Sequence, residues 1–187
     1  MNELLERLRI NPVIAAIRSP EDLETALECD VTTIFLLNSD IFNIKSLVDR
    51  IQAGSKSAFI HVDFVEGLGN DHKAVEYLAE FIKADGIIST RGNLIKHAKH
   101  MGMFTIQRFF LIDSLSYKTT IKQVQAVKPD MIEILPGVMP GVIKRICREV
   151  SIPVIAGGLI DSKQDIIEIL KAGAIGASVG KASLWNL

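Results

Sequence analysis

The stretch Pro153-Val154-Ile155-Ala156-Gly157-Gly158-Leu159-Ile160-Asp161-Ser162 decides the fold. An apolar run breaks at paired glycines. Asp161-Ser162 then offer a helix cap ahead of Ile166-Ile167-Ile169-Leu170, and Gly173 closes that helix. Strand, glycine loop and capped helix make one β/α unit. An Ile/Val run without strict alternation reads as a strand buried on both faces, as in a parallel sheet. Working outward, similar runs occupy residues 13–18, 33–38, 58–64, 86–90, 104–112, 131–135 and 176–179, besides 154–156 itself. Helical periodicity fills the intervals, and Ser19-Pro20-Glu21-Asp22 supplies a second capped start. Eight units in 187 residues leave about 23 residues each, which predicts a small (β/α)8 TIM-like barrel of parallel strands. It is leaner than the ~250 residues typical of that fold, so a truncated helix is expected. No linker or low-complexity stretch interrupts residues 1–187, which read as a single domain. An open doubly wound sheet would want a glycine fingerprint, and Gly67-Leu68-Gly69 supplies only its first half.

Composition narrows the class. Hydrophobic residues make up 48% of the chain, enough for a sizeable core, yet no run reaches the ~18 apolar residues of a membrane span. The charged opening Met1-Asn2-Glu3-Leu4-Leu5-Glu6-Arg7 argues against a secretory signal. Cys29 and Cys147 stand alone, which fits a reducing, cytoplasmic setting. The net charge of −1 lacks the global footprint of a nucleic-acid binder. The mean hides an asymmetry, because residues 91–128 hold seven basic residues and only Asp113 as an acid, giving +6 there and −7 elsewhere. Such a segment is either a set of solvated helix faces or a track for a phosphate backbone.

Barrels keep their sites on the loops after the strand C-termini, and several runs end there in polar residues. Arg18, Asn38, His61, Asp63, Glu66, Arg91, Asp113 and Glu133 occupy such places. His61 and Asp63, two apart, are expected on one side of their strand. Arg108 and Glu133 lie inside apolar runs and suit either ligand contact at the mouth or an internal ion pair. Gly157 and Gly158 follow strand seven, and Gly180 and Lys181 follow strand eight, where many barrels hold phosphate on backbone amides. These glycines also serve tight turns. No zinc, nucleotide or serine-hydrolase motif occurs, and His97 with His100 reads as a surface pair. The reading is therefore of no metal, no cofactor and no assigned catalytic residue.

Six segments in order carry a family likeness: His61-Val62-Asp63-Phe64-Val65-Glu66-Gly67-Leu68, Gly86-Ile87-Ile88-Ser89-Thr90-Arg91, Gln107-Arg108-Phe109-Phe110, Glu133-Ile134-Leu135-Pro136-Gly137, Ala156-Gly157-Gly158-Leu159-Ile160 and Ser178-Val179-Gly180-Lys181. Together they resemble the glycerol uptake operon antiterminator regulatory proteins of Gram-positive bacteria, from Asn11 to Trp185. The resemblance implies a barrel that responds to glycerol 3-phosphate, binds the leader mRNA of glycerol genes and prevents early termination of transcription. From the physical argument on the strand ends, Gly157, Gly158, Gly180 and Lys181 are expected to take the phosphate. His61, Asp63, Glu66, Arg91, Arg108 and Glu133 are expected to take the rest of the ligand. Lys96, Lys99, Lys118 and Lys122, spaced as stripes on two neighbouring helices, are expected to face RNA. A homo-oligomer is compatible with this reading. The alternative is a barrel enzyme of isomerase or aldolase type acting on a small phosphorylated substrate, for which the same polar mouth would serve.

Overall fold

The computed structural model describes residues 3–187; Met1 and Asn2 of the charged opening lie outside the described residues. Eight parallel strands close into a barrel: β1 (Val13–Ile17), β2 (Thr33–Leu36), β3 (Ser57–His61), β4 (Gly86–Ser89), β5 (Phe104–Phe110), β6 (Met131–Leu135), β7 (Val154–Gly157) and β8 (Gly176–Val179). Each strand pairs with the next in sequence, and β8 returns to β1 with Val13 opposite Ala177. The fold is thus a (β/α)8 TIM-like barrel. Helix α1 (Glu3–Ile10) precedes β1, and the other seven follow strands: α2 (Pro20–Glu28), α3 (Ile44–Ala53), α4 (His72–Tyr77), α5 (Gly92–His100), α6 (Ser114–Val127), α7 (Pro140–Glu149) and α8 (Lys163–Lys171). After β8 the chain makes only the short turn Ala182–Leu184, the truncated helix that the length implies. None of the described helices is long and apolar enough to cross a membrane.

The helix starts obey their local chemistry. Ser19, Asp113 and Ser162 each accept a hydrogen bond from the third helical amide, while that third residue's side chain accepts from the cap amide. Each reciprocal cap satisfies amides that would otherwise be orphaned, worth about 1 kcal/mol.

Alternation along the strands sorts the core into two. Outward residues such as Ile34, Ile60, Ile87 and Ile132 pack under the helices. Inward residues Ile14, Phe35, Phe59, Ile88, Ile106, Met131 and Ile155 fill the lower barrel, and Leu4 and Leu8 of α1 close its base. The Phe59 ring meets Phe35 and Phe104 edge-on, at centroid distances of 5.8 and 5.7 Å. Gly86 leaves room for it: a Cβ there would lie 2.5 Å from the Phe59 ring. Two residues further along the strands, the inward positions become Ala16, His61, Arg108, Glu133, Gly157 and Ser178. The interior changes there from apolar to polar, below the mouth.

Two runs end earlier than their apolar content suggests. The 58–64 run breaks after His61, where Val62–Phe64 form a short 3-10 turn and Val65–Glu66 pair with Ser39–Asp40 in a side ribbon. The 104–112 run stops at Phe110. Side-chain hydrogen bonds at Asp63 hold the first of these turns, and they are not visible in an apolar pattern.

Candidate functional site

A cavity of about 500 Å³ opens among the C-terminal ends of β1, β2 and β5 to β8. Its floor is the pair Arg108 and Glu133, neighbours across β5 and β6, with Arg108 Nε donating to Glu133 Oε2 at 2.6 Å. Both side chains are buried, at 5% and 1% exposure. The expected choice between ion pair and cavity contact has a double answer, since the two form the pair and both line the cavity. The second carboxylate oxygen, Glu133 Oε1, is buried with no hydrogen-bond partner. An acceptor left unpaired at such depth costs about 1–3 kcal/mol, so its retention needs a reason.

Gly157 sits beneath that oxygen: a Cβ there would come within 2.5 Å of Glu133 Oε1. It is buried and does not line the cavity, in contrast to the phosphate contact expected of it. What requires glycine at 157 is room for the carboxylate. Gly158, Gly180 and Lys181 do line the wall. Gly158 and Leu159 both have left-handed backbones, with φ of +78° and +60°. Glycine adopts that region freely, whereas a leucine pays about 1–2 kcal/mol. Leu159 nevertheless projects into solvent at 70% exposure beside the opening. Gly137 fastens this loop, its amide donating to the carbonyls of Gly157 and Gly158 at 2.6 and 3.1 Å. The Lys181 ammonium donates to the Asp161 carbonyl at 2.9 Å across the same wall.

The β3–β4 side is built differently. Asp63 lies in the 3-10 turn rather than on the strand with His61, which corrects the shared-side expectation. Its carboxylate accepts from Ser89 Oγ at 2.6 Å, Thr90 N at 2.8 Å and Thr90 Oγ1 at 2.8 Å. Burial pushes this carboxyl up, but those hydrogen bonds outweigh it and leave the group below its usual range. Arg91 reaches Asp63 at 3.8 Å and is half exposed. Glu66 is exposed in the side ribbon and lines a separate cleft of about 420 Å³ with Asn38, Asp63 and Phe64. His61 is 1% exposed, points inward, and has no partner on either nitrogen. Burial, then the nearby Arg108 charge, hold it down at about 4, with Asp63 pulling the other way. At neutral pH it is an uncharged imidazole.

Of the expected ligand set, the structure brings Arg108, Glu133, Gly158, Gly180 and Lys181 to one cavity. His61 sits behind it in the barrel, and Asp63, Glu66 and Arg91 line the other side of the mouth. Sequence reasoning missed Ser178, Asp22 and Leu159 on the wall. Ser178 was findable as the inward residue two after Gly176; Asp22 was hidden by its role in the α2 cap. Of the expected basic stripes, Lys96, Lys118 and Lys122 are exposed. Lys99 is held by Asp130 at 2.8 Å and by the Lys128 carbonyl at 2.7 Å. Of the expected surface histidines, His100 is exposed, but His97 is half-buried and stacks on His72 at 4.1 Å. Among the described residues no group of three or more His, Cys, Asp or Glu is placed to hold a metal.

Comparison with known proteins places this architecture among relatives. The family model described as glycerol-3-phosphate responsive antiterminator matches residues 13–185. The protein YgcP of Escherichia coli (strain K12), itself uncharacterized, is 39% identical over 184 residues, covering 98% of this chain and 96% of that protein. The crystal structure of the glycerol uptake operon antiterminator regulatory protein from Listeria monocytogenes superposes with a TM-score of 0.91 at 40% identity, over 94% of this chain and 95% of that one. A glycerol uptake operon antiterminator-related protein from Thermotoga maritima follows at 0.83 and 32%, over 92% and 96%.

Proposed function

Since the chain belongs to the glycerol-3-phosphate responsive antiterminator family, we propose that it binds glycerol 3-phosphate in the mouth cavity and acts on the leader mRNA of glycerol genes as a transcription antiterminator in the cytoplasm. The observation that carries the ligand assignment is the unpartnered, buried Glu133 Oε1 on the floor of a cavity whose adjoining wall is a pair of glycine loops. A carboxylate acceptor suits a glycerol hydroxyl, and the remaining Arg108 donors suit either a hydroxyl or a phosphate oxygen. Gly158 and Gly180 let the backbone approach an oxyanion, with Lys181 and Arg18 as cations at the rim. Effector and protein then share one division of labour: phosphate at the loops, hydroxyls at the floor.

The enzyme reading has less support. Among the described residues, the inward strand positions hold no lysine, and Lys181 on the cavity wall donates its ammonium to the Asp161 carbonyl, which does not favour the free amine of a Schiff-base aldolase. His61, the inward imidazole, is uncharged and has no hydrogen-bond partner on either nitrogen, packing instead against the Phe64 ring at 4.4 Å.

Calorimetry with glycerol 3-phosphate, glycerol and inorganic phosphate tests the assignment. Wild-type protein should bind the first more tightly than either fragment. Glu133→Gln, which keeps shape and removes charge, should lose about 1.5–3 kcal/mol of that binding. Equal affinity in the variant, with the fold intact, would return the carboxylate to a purely internal role. A new product after incubation with glycerol 3-phosphate would establish the enzyme reading instead.

A further inference from the structure

The positive charge that the sequence places over residues 91–128 is redistributed by the fold. Lys99 of α5 is consumed by Asp130. Helices α6 and α7, by contrast, follow neighbouring strands and lie against each other through Tyr117, whose hydroxyl donates to Glu149 Oε1 at 2.8 Å. The Arg145 guanidinium stacks over the Tyr117 ring at 4.6 Å. Lys118 and Lys122 on α6 and Lys144, Arg145 and Arg148 on α7 are all exposed. Glu149, already bonded to Tyr117, is the sole acid within the two helices. Five cations against two carboxylates, Glu149 and the α6 cap Asp113 that borders the mouth-end cleft and accepts from Ser116 N, leave this seam basic on a chain of net charge −1.

The seam also has depth. At its mouth end lies a cleft of about 430 Å³, walled by Leu111, Ile112, Tyr117, Met139 and Val142, with Lys118 and Arg145 at its edge. At the far end a second cleft of about 480 Å³ is bordered by Ile121, Lys128 and Ile152. Ile112 and Leu115 stand out beside the first at 87% and 72% exposure. Apolar walls, an aromatic ring carrying an arginine, and flanking lysines are the parts that hold single-stranded nucleic acid, where bases stack and phosphates pair with cations.

We propose that the α6–α7 seam is the RNA-binding surface and that it takes an unpaired stretch, with phosphates along Lys118, Lys122, Lys144 and Arg148 and a base in the mouth-end cleft against Tyr117. The proposal rests on the antiterminator reading and locates its macromolecular partner. The seam is physically joined to the effector cavity. Leu111 N donates to the Leu135 carbonyl at 2.8 Å, and Gly137 N donates to the carbonyls of Gly157 and Gly158. The loops that wall the mouth-end cleft are therefore latched to the strand end and glycine loop that line the effector site. A ligand that shifts Gly158 moves the anchor of the loop carrying Met139, which gives effector binding a mechanical route to the cleft.

Filter binding tests this with two probes, the leader transcript of a glycerol uptake operon and polyuridylic acid, each with and without glycerol 3-phosphate. Lys118→Glu combined with Arg148→Glu should weaken leader binding at least tenfold near 0.1 M salt. It should also flatten the log–log salt dependence by about 0.7 for each lost phosphate contact, with glycerol 3-phosphate calorimetry unchanged. Tyr117→Ala should weaken binding of both RNAs, while Tyr117→Phe, which keeps the ring and drops the Glu149 hydrogen bond, should not. Lys163→Glu with Lys171→Glu on α8 is the charge-matched control and should behave as wild type. If wild type binds leader RNA and the seam variants bind it equally well, the seam is not the surface and the antiterminator reading stands. If wild type binds neither RNA with or without effector, the antiterminator reading falls and the proposal with it. Variants that lose antitermination in cells while keeping RNA affinity would assign the seam to a protein partner and overturn the RNA assignment.

Discussion

The two sides of the barrel mouth present carboxylates in opposite conditions. Asp63, on the β3–β4 side, accepts three short hydrogen bonds from Ser89 and Thr90 and needs nothing more. Glu133, on the β5–β8 side, gives one oxygen to Arg108 and leaves the other buried and unanswered. Both residues look alike in sequence, as acids near the end of an apolar run. The first is satisfied by its own neighbours and so holds a turn; the second keeps an oxygen that no neighbour satisfies, and the proposed ligand role rests on that oxygen. Internal satisfaction is the difference between the two.

The sharpest way to break this contrast is to delete each carboxylate. Glu133→Ala leaves Arg108 buried without its counter-charge and should cost about 3–5 kcal/mol of stability, read by urea denaturation. A loss below about 1 kcal/mol would mean that water or rearrangement already neutralises Arg108. His61 gives a smaller effect with a fixed direction. Its folded value of about 4 lies below the usual 6.5, so the unfolded chain binds the extra proton first. The stability this supplies is complete above pH 6.5 and is lost as pH falls toward 4, about 2 kcal/mol of it by pH 5. His61→Phe should remove that part of the pH dependence; denaturation midpoints of both proteins at pH 7 and pH 5 check it. The smallest effect belongs to Asp63→Asn, which keeps part of its hydrogen bonding. It should lower stability by about 1 kcal/mol and leave glycerol 3-phosphate affinity within a factor of two of wild type, by calorimetry. An affinity loss at Asp63 as large as that of Glu133→Gln would dissolve the distinction.

The fold was legible because its signals are local. Ile and Val runs, the Ser19 and Ser162 caps and the paired glycines each act within a few residues, and their regular recurrence describes a barrel. The site was legible only in part, because its decisive relations are long-range. Gly157 read as an approach point for phosphate, yet what it accommodates is the carboxylate of Glu133 on the neighbouring strand. Lys99 read as one member of a basic stripe, until Asp130 across the next unit took its charge. Asp63 read as strand, yet Ser89 at the end of β4 and Thr90 just beyond it hold its segment in a turn. Gly137 stood out only as the end of one quoted segment and is in fact the latch on the glycine loop. In each case the missing fact was a partner at least 20 residues away, which periodicity does not encode.

Trp185 closes the last turn of the chain, fully buried, with its indole nitrogen donating to the Val179 carbonyl at 2.7 Å. It is the chain's single tryptophan. Val179 is the last residue of β8, and Gly180 and Lys181 of the cavity wall follow it directly. The fluorophore is therefore wired to the loop proposed to take the phosphate, while the two tyrosines sit elsewhere, on α4 and α6. Excitation of the unlabelled protein reports on that one strand end, so an emission titration reads events at the glycine loops without a dye, a tag or a substitution.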